Sequence, residues 1–445
     1  MSILEDARAV LATGPVCDAC LGRPFADRSF GLTNAERGRA LRTTVALADD
    51  EPYEPSADCW VCEGQCERHD EWAERAADAL SGVSFETYQV GTRVPPLIEE
   101  NDALLRAEAG LPEDAGESFK SAFNREVGKR LGADTDTEVD FERPDVVVLL
   151  NLERGDVDAQ VNPAFVYGRY RKLQRDVPQT EWPCRECGGG GKQFDPDEGE
   201  VDCDHCGGTG YMYPTSVEQE VAPHVRAAMD GEDAVFHGAG REDVDARMLG
   251  TGRPFVVEVK RPQARRPDLD AVRAEIEDAS DAVEVEDLAH ATHGMVERVK
   301  ELDASKRYRA AVTFDEPVAA DALAAALADL DGATIEQYTP GRVDHRRAGK
   351  TRVREVYAAD GSLVPADADR ETGDPVDEPA ESIRAELTFH TEGGTYVKEL
   401  VSGDEGRTEP SLAGLLGVGA EVAALDVLAV EGEDEPFDDE AFLRE

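Results

Sequence analysis

The spacing of hydrophobic positions switches along the chain between a helical period and an extended one. Helix-like segments occur at residues 3–11, 71–80, 118–131, 216–229 and 318–330. Strand-like segments, continuous or alternating, occur at residues 84–90, 145–151, 255–260, 307–314, 333–338, 382–389 and 422–430. This mixture predicts an α/β (α+β) protein, and a length of 445 residues predicts two to four domains.

The charge of the chain restricts the environment in which it can work. It has 96 acidic and 47 basic residues and a net charge of −49, yet 40% of its residues are hydrophobic, too many for a disordered chain. At molar salt the Debye length is roughly 3 Å, so an acidic, hydrated surface suits the cytoplasm of a halophile. We find no apolar run of about 18 residues and no signal-peptide pattern, and therefore expect a cytoplasmic protein without a membrane span.

Cysteine spacing indicates two metal sites. Eight of the nine cysteines form four CxxC pairs: Cys17 with Cys20, Cys59 with Cys62, Cys184 with Cys187, and Cys203 with Cys206. In a cytosolic chain such pairs favour structural zinc over disulfides. The two later pairs both follow CxxCxGxG, whose glycines allow turns that direct thiolates inward. In the first set Cys66 is an alternative ligand, and partly vestigial cysteines are the competing interpretation.

The order of these features predicts four regions. They are a zinc-binding N-terminal region (1–70), an α/β domain (71–178), a CxxCxGxG zinc insert (179–215) and a mixed-sheet domain (216–445).

The segment 240–247, Gly-Arg-Glu-Asp-Val-Asp-Ala-Arg, is the strongest candidate for chemistry. It places acids in a turn framed by glycine and arginine, just before the apolar strand 255–259. This arrangement suits an aspartate that must be ionised, rigidly held and accessible, because neighbouring arginines favour the anion. A turn with a surface ion pair would look the same, and the residues alone do not choose between Asp243 and Asp245.

The segment through Phe255 resembles the active-site turn of RNA pseudouridine synthases, and in particular the archaeal and eukaryotic tRNA pseudouridine 54/55 synthases. These carry a THUMP RNA-binding domain ahead of the catalytic domain, and residues 71–178 resemble one in order and placement. The resemblance implies an isomerase acting on uridine 54, uridine 55 or both in the T-loop of tRNA. It implies Asp243 as the nucleophile, no catalytic cofactor, tRNA as the partner, and neither a membrane nor an obligate protein partner.

The same resemblance implies four further site residues. Tyr308 would stack on the flipped base, Tyr396 would contact substrate, Arg407 would pair with the catalytic aspartate, and Leu412 would line the uracil pocket. For both tyrosines and the leucine, ordinary core packing is the competing interpretation.

Two basic segments in this acidic chain predict RNA contacts. A strand-like end at residues 158–166 leads into an aromatic and basic string with Arg169, Arg171, Lys172 and Arg175, and a second window, 341–354, contains Arg342, Arg346, Arg347 and Lys350. Cations suit phosphates and aromatics suit base stacking. For the first string, pairing with the protein's own acids is the alternative.

Two other functions fit parts of the sequence. The CxxCxGxG pairs resemble a zinc module of the J-type chaperones, which would make the chain a non-catalytic chaperone or adaptor, but no His-Pro-Asp tripeptide is present. Another THUMP-type RNA-modifying enzyme would need a glycine-rich nucleotide loop after a strand, whereas the glycine cluster 188–191 lies inside the cysteine motif.

Overall fold

The structure, a computed structural model, divides into two compact units. It describes residues 2–55, 58–196, 199–302, 304–343, 348–365, 379–432, 437, 439 and 441–444. One unit comprises Met1–Pro163 with Lys260–Arg265, and the other Ala164–Val259 with Arg266–Glu445. Both combine helices and strands, which confirms the predicted mixed α/β class.

Among its described residues, the first unit has six α-helices and a four-stranded sheet. The helices are α1 (Ile3–Ala12), α2 (Asp18–Gly22), α3 (Asn34–Asp49), α4 (His69–Ala79), α5 (Pro96–Glu108) and α6 (Phe119–Thr135). The strands are β1 (Thr87–Arg93), β2 (Glu138–Val139), β3 (Val146–Asn151) and β4 (Asp156–Val161), in the order β2-β1-β3-β4. The apolar run predicted as a buried strand forms β3, where Val146, Val148 and Leu150 have no exposed surface.

Local sequence explains where several of these helices begin. Ser2 and Thr33 each form a capping box with a glutamate three residues further on, which satisfies free N–H groups in the first turn. Ser118 accepts a hydrogen bond from the N–H three residues on, so α6 begins at Phe119, one residue after the predicted start. Within the described ranges, no helix of either unit is long and apolar enough to cross a bilayer.

The second unit is built around one large sheet. Its strands are β5 (Ala164–Lys172), β8 (Asp233–Gly238), β9 (Arg247–Lys260), β10 (Val283–Ala291), β11 (Ala304–Ala319), β12 (Thr334–Tyr338), β13 (Thr351–Leu363), β14 (Glu381–Thr391), β15 (Thr408–Glu409) and β16 (Ala420–Gly432). A separate hairpin consists of β6 (Lys192–Asp195) and β7 (Gly199–Asp202). The helices are α7 (Val217–Ala228), α8 (Leu269–Ala279), α9 (His293–Glu301), α10 (Ala320–Leu330), α11 (Val397–Ser402) and α12 (Leu412–Leu416).

The strand order of the large sheet is β10-β5-β9-β16-β11-β14-β13-β12-β15, with β8 attached to β9. Along the nine strands of this order, pairing is antiparallel except between β9 and β16, which run parallel. The long strand β11 pairs with β14 on one side and β16 on the other. Buried residues of these strands form one core with residues of α7, α8, α10, α11 and α12, so the sheet is a fixed support for the loops at its strand ends.

The predicted strand-like end at residues 158–166 is divided in the structure. β4 ends at Val161, and β5 begins at Ala164 after Pro163, which has no N–H to donate to a ladder. β4 pairs with β3 in the first unit, whereas β5 pairs with β9 and β10 in the second. The domain boundary predicted near residue 178 therefore falls inside the second unit.

Candidate active site

The acidic turn of residues 239–246 connects β8 to β9. Gly240 has a φ of +69°, a backbone conformation that favours glycine. The N–H of Ala246 donates to the carbonyl of Asp243 at 3.0 Å and closes the turn. The side chain of Asp243 is 37% exposed. Its carboxylate is thus carried on an ordered backbone and remains accessible.

Glu242, beside Asp243, is buried beneath the turn. Its side chain is 1% exposed, and its carboxylate lies 2.9 Å from Nε of Arg253 and 3.7 Å from Nζ of Lys172. The hydroxyl of Tyr170 donates to the same carboxylate at 3.0 Å. Arg253 lies on β9 and Lys172 ends β5, and their side chains are 1% and 0% exposed. These two buried ion pairs therefore tie the turn to both strands.

Lys172 also holds the backbone of the turn. Its ammonium donates to the carbonyls of Val177 at 2.7 Å, Val244 at 3.1 Å and Asp243 at 3.4 Å. Burial lowers the pKa of Lys172, and the charge of Glu242 opposes that shift. A side chain without exposed surface cannot meet a phosphate, so the structure argues against the predicted RNA contact of Lys172.

Two cations face the carboxylate of Asp243. Arg342, which follows β12, places Nη1 3.2 Å from Oδ2 of Asp243, and Lys398, in α11, places Nζ 3.3 Å from the same atom. Arg342 also donates from Nε to Oε1 of the buried Glu399 at 2.6 Å. Burial lowers the pKa of Arg342, but its bond to Glu399 and the charge of Asp243 outweigh burial and raise it. Glu399 therefore orients the guanidinium toward Asp243.

Asp245, the competing candidate, is engaged differently. Its side chain is 60% exposed, and Lys398 donates to its two oxygens at 2.7 and 2.9 Å. Burial raises the pKa of Asp245, but the hydrogen bond and charge of Lys398 prevail and lower it. Lys398 thus bridges the two acids, and of the two Asp243 is the one in ion-pair contact with Arg342.

Tyr308 lies on β11, between Phe389 of β14 and Val427 of β16. It is 8% exposed. Burial raises the pKa of Tyr308 to about 12; the guanidinium of Arg253 opposes the rise and the charge of Asp243 adds to it. The phenol is therefore a neutral, largely apolar surface within electrostatic reach of the candidate aspartate.

Tyr396 precedes α11 and helps to place Lys398. Its backbone N–H donates to Oε1 of Gln337 at 2.9 Å, and its carbonyl accepts from Nε2 of the same side chain at 3.0 Å. The guanidinium of Arg352 lies 5.8 Å from the ring centroid. Leu412 has no exposed surface and belongs to the main core of the second unit, as its competing interpretation expects.

The predicted pairing of Arg407 with Asp243 is not found. Among the described residues, the cations within ion-pair distance of Asp243 are Arg342 and Lys398. The carbonyl of Arg407 accepts the N–H of Tyr338 at 2.8 Å, which fixes it beside β12. Its guanidinium lies against Gly341, where an added Cβ would come within 3.0 Å of Nη1. Arg407 thus lies next to the residue that precedes Arg342, and Arg342 is the arginine in ion-pair contact with Asp243.

The other predicted RNA-binding cations are largely used within the protein. Arg169 donates to backbone carbonyls, Arg171 pairs with two glutamates of β10, and Arg175 pairs with Asp426. The Arg171 and Arg175 side chains keep 29% and 31% exposure. These contacts match the alternative interpretation of the basic string, in which its cations pair with the protein's own acids. In the second window Lys350 is exposed, and Arg346 and Arg347 lie outside the described residues.

Asp426, on β16, is surrounded by arginines. The guanidinium groups of Arg175, Arg247 and Arg309 lie 2.7, 2.8 and 2.9 Å from its oxygens. Burial raises the pKa of Asp426, but these hydrogen bonds and charges outweigh it and lower the value to about 2. The cluster joins β16 to Arg247 of β9 and Arg309 of β11 beside the acidic turn.

Sequence reasoning did not assign Lys398, Glu399 or Glu242. Lys398 and Glu399 stand in the Gly-Thr-Tyr-Val-Lys-Glu segment that contains Tyr396. The sequence did contain a signal for them, since a lysine is rare in this chain and here it stands beside an acid at the start of a short helix. For Glu242 no such signal exists, because one glutamate among three neighbouring acids shows its burial only in the fold.

The first cysteine cluster lies in the first unit. The Sγ atoms of Cys17, Cys20, Cys62 and Cys66 lie within 4.8 Å of one another and could hold a metal ion. Cys66, the alternative ligand, belongs to this group of four and lies in the short 3₁₀ turn Gln65–Glu67. Cys59 is buried nearby and interacts with Cys17 and Cys20.

The second cysteine cluster lies in the second unit and brings together the four cysteines of the two CxxCxGxG motifs. The Sγ atoms of Cys184, Cys187, Cys203 and Cys206 lie within 4.8 Å of one another. Gly191 and Gly210 donate N–H bonds to the thiols of Cys187 and Cys206, both at 3.2 Å. A Cβ on either glycine would collide with a backbone carbonyl. Four converging sulfurs with N–H···S bonds fit a tetrahedral metal.

Comparison with known families matches both halves of the chain. Residues 165–431 match the model described as Pus10, C-terminal, and residues 72–151 match the Pus10 THUMP domain, archaeal. A tRNA pseudouridine synthase Pus10 of the halophile Halorubrum lacusprofundi is 64% identical, with 100% of both chains covered. One of Methanothrix thermoacetophila is 44% identical, with 97% of this chain and 95% of the relative covered.

Among solved structures, a chain of a Cbf5-Nop10-Gar1 complex is 18% identical, with 48% of this chain and 46% of that chain covered and a TM-score of 0.28. The family matches define the class: the chain is a pseudouridine synthase, an intramolecular isomerase. Within that class it belongs to the Pus10 family, with an archaeal THUMP domain. The predicted family is confirmed, and the chaperone and the other THUMP enzymes are set aside.

Proposed function

We propose that this chain isomerises uridine 54, uridine 55 or both in the T-loop of tRNA, with Asp243 as the nucleophile. The observation that carries the assignment is the convergence of Arg342 and Lys398 on one oxygen of an accessible aspartate, at 3.2 and 3.3 Å. The tRNA substrate follows from the names of the relatives and from the match to a THUMP domain.

The reaction breaks the N1–C1′ bond of uridine and joins C5 of the same base to C1′, and the proton on C5 is lost as N1 gains one. Asp243 supplies a carboxylate at the site of bond exchange. Arg342 and Lys398 stabilise its charge and restrict its position, because ion pairs to a fixed carboxylate are directional. Glu399 is a positioning residue, since it acts on Arg342.

The target uridine must leave its stack to meet Asp243. Tyr308 is proposed as the surface for the flipped base because its side chain interacts electrostatically with Asp243. It is 8% exposed and belongs to the main core of the second unit, so the base would meet the edge of that core. A pKa of about 12 keeps its hydroxyl protonated at neutral pH. Tyr396 is proposed as a substrate contact because it directly precedes α11, the helix that carries Lys398, and its ring lies beside the guanidinium of Arg352.

RNA contacts at high salt depend less on phosphate charge than they do in dilute buffer. The partly exposed Arg171 and Arg175 and the exposed Lys350 are proposed as peripheral contacts, together with Arg169. We propose that both four-cysteine clusters hold structural zinc, which is the metal that four thiolates in a closed tetrahedral site favour.

The direct test compares Asp243→Asn with Asp245→Asn on transcript tRNA in molar potassium chloride, with pseudouridine mapped at each position. We expect product to disappear in the first variant and to persist in the second. Undiminished product with Asp243→Asn would overturn the assignment. Mapping also decides between uridine 54, uridine 55 and both.

A further inference from the structure

The stretch of residues 172–182 begins at the last residue of β5 and is here called the clamp segment. It holds the acidic turn at several points. Lys172 binds two of the turn's carbonyls, as described above. Nε2 of Gln179 donates to the carbonyl of Gly240 at 2.9 Å. The N–H of Asp176 donates to the carbonyl of Val244 at 3.0 Å. Backbone groups on both sides of Asp243 are therefore held by one continuous stretch of chain.

A side-chain contact joins the end of the clamp segment to the residue two positions before Asp243. The guanidinium of Arg241 lies 5.4 Å from the ring centroid of Trp182, a cation–π geometry. The ring of Tyr213 meets the same indole edge-on, with 5.5 Å between centroids. Trp182 is thus set between the turn and the chain that returns from the second cysteine cluster.

The clamp segment leads directly into residues 183–195 and 199–212, here called the cysteine module. The two ends of the module are paired: Met212 N–H donates to Trp182 carbonyl at 2.9 Å, and Cys184 N–H donates to Gly210 carbonyl at 2.7 Å. Closure of the module therefore fixes Trp182.

The chain that leaves the module supports the clamp segment a second time. The N–H groups of Val217 and Glu218, at the start of α7, donate to the carbonyls of Pro178 and Gln179, both at 3.0 Å. Ser216, the residue directly before α7, has no exposed surface. Gln179 is thus held by backbone bonds to α7 while its side chain holds Gly240.

The described part of the module is a small hairpin with two turns. Its two strands have four residues each, and Phe194 on the first is 81% exposed. A two-stranded hairpin is marginally stable at best in water, and sites of this size draw their folding energy from a bound metal. Without an ion, four close thiols would give no such stabilisation.

We propose that metal binding at Cys184, Cys187, Cys203 and Cys206 orders the active-site turn, and that Trp182 and Gln179 are the positioning residues that transmit the effect. The inference rests on the proposed role of Asp243 for its catalytic meaning. The link between module and turn is a property of the fold and is measured without the reaction.

The first experiment measures amide hydrogen exchange in the full chain at molar salt, together with bound metal. Cys203→Ser is compared with wild type, and Cys20→Ser, in the other cluster, is the matched control. We expect Cys203→Ser to lose metal and to exchange at least tenfold faster across residues 239–246. Cys20→Ser should leave that segment at the wild-type rate. Unchanged exchange in α10 reports that the second unit stays folded.

Loss of metal in Cys203→Ser with wild-type protection of residues 239–246 would overturn the inference. A second pair of variants keeps the module loaded. Trp182→Leu removes the ring, whereas Trp182→Phe retains an aromatic face for Arg241. We expect Trp182→Leu to speed exchange of the turn and to slow single-turnover product formation about tenfold at unchanged tRNA affinity, and Trp182→Phe to stay within twofold of wild type. Equal behaviour of the two variants would contradict the role of Trp182.

The two proposals fail separately. If Asp243→Asn remains active, the chemical assignment falls while the exchange experiment still reports whether module and turn are coupled. If exchange of the turn ignores the metal, the coupling falls and Asp243 is unaffected.

Discussion

Replacement of the buried Glu242 by glutamine should destabilise the second unit far more than its conservative shape suggests. The carboxylate is 1% exposed and lies near two buried cations, Arg253 at 2.9 Å and Lys172 at 3.7 Å. Glutamine keeps the volume and can still accept from Tyr170, but it removes the negative charge that both cations face among the described residues. Removing one member of such a buried ion pair costs about 3–5 kcal/mol.

The assay is urea unfolding of Glu242→Gln and wild type at one fixed molar salt concentration, followed by a signal from the second unit. Because the pair is buried, salt screens it little, and the loss should persist at high salt. Asp245→Asn is the matched control: its acid is 60% exposed, and an exposed pair contributes about 0–1 kcal/mol. A loss below about 1 kcal/mol for Glu242→Gln would show that the buried charges are not coupled as described.

Three further outcomes follow from the same contacts. The pKa of Asp426 is lowered from 3.8 to about 2, so the stability that Asp426 contributes is present above pH 4 and is lost as the pH falls toward 2. Asp426→Asn should remove about 2 kcal/mol of this pH-dependent stability, and acid titrations of the free energy of unfolding measure the loss. Lys398→Met should slow single-turnover product formation by about 10² to 10³, as for loss of one charge-stabilising donor, whereas Lys398→Arg should recover part of the rate; equal rates would refute a role for the charge. Tyr308→Phe keeps the ring and should keep tRNA affinity, whereas Tyr308→Ala should weaken binding, measured by filter retention at matched salt; equal binding by the two variants would refute the stacking role.

Local chemistry explains what could be predicted from the sequence. The turn around Asp243 is framed by glycine and arginine over a few residues, and the CxxCxGxG pairs place their thiols through short turns, so neither needed a fold to be recognised. The helix that starts after Ser118 and the buried strand 146–151 were likewise predictable, because capping and hydrophobic runs act over neighbouring positions.

Tertiary structure decided which distant side chains meet. Arg342 and Lys398 reach Asp243 from positions about 100 and 150 residues further along the chain, and no local pattern ranks them above Arg407. The basic string in β5 looked like an RNA contact, yet strand pairing turned Lys172 inward, since a strand's side chains alternate between faces and only the assembled sheet defines which face is covered. The sequence by itself therefore determined the acidic turn and the cysteine motifs, and the sheet determined the partners that surround Asp243.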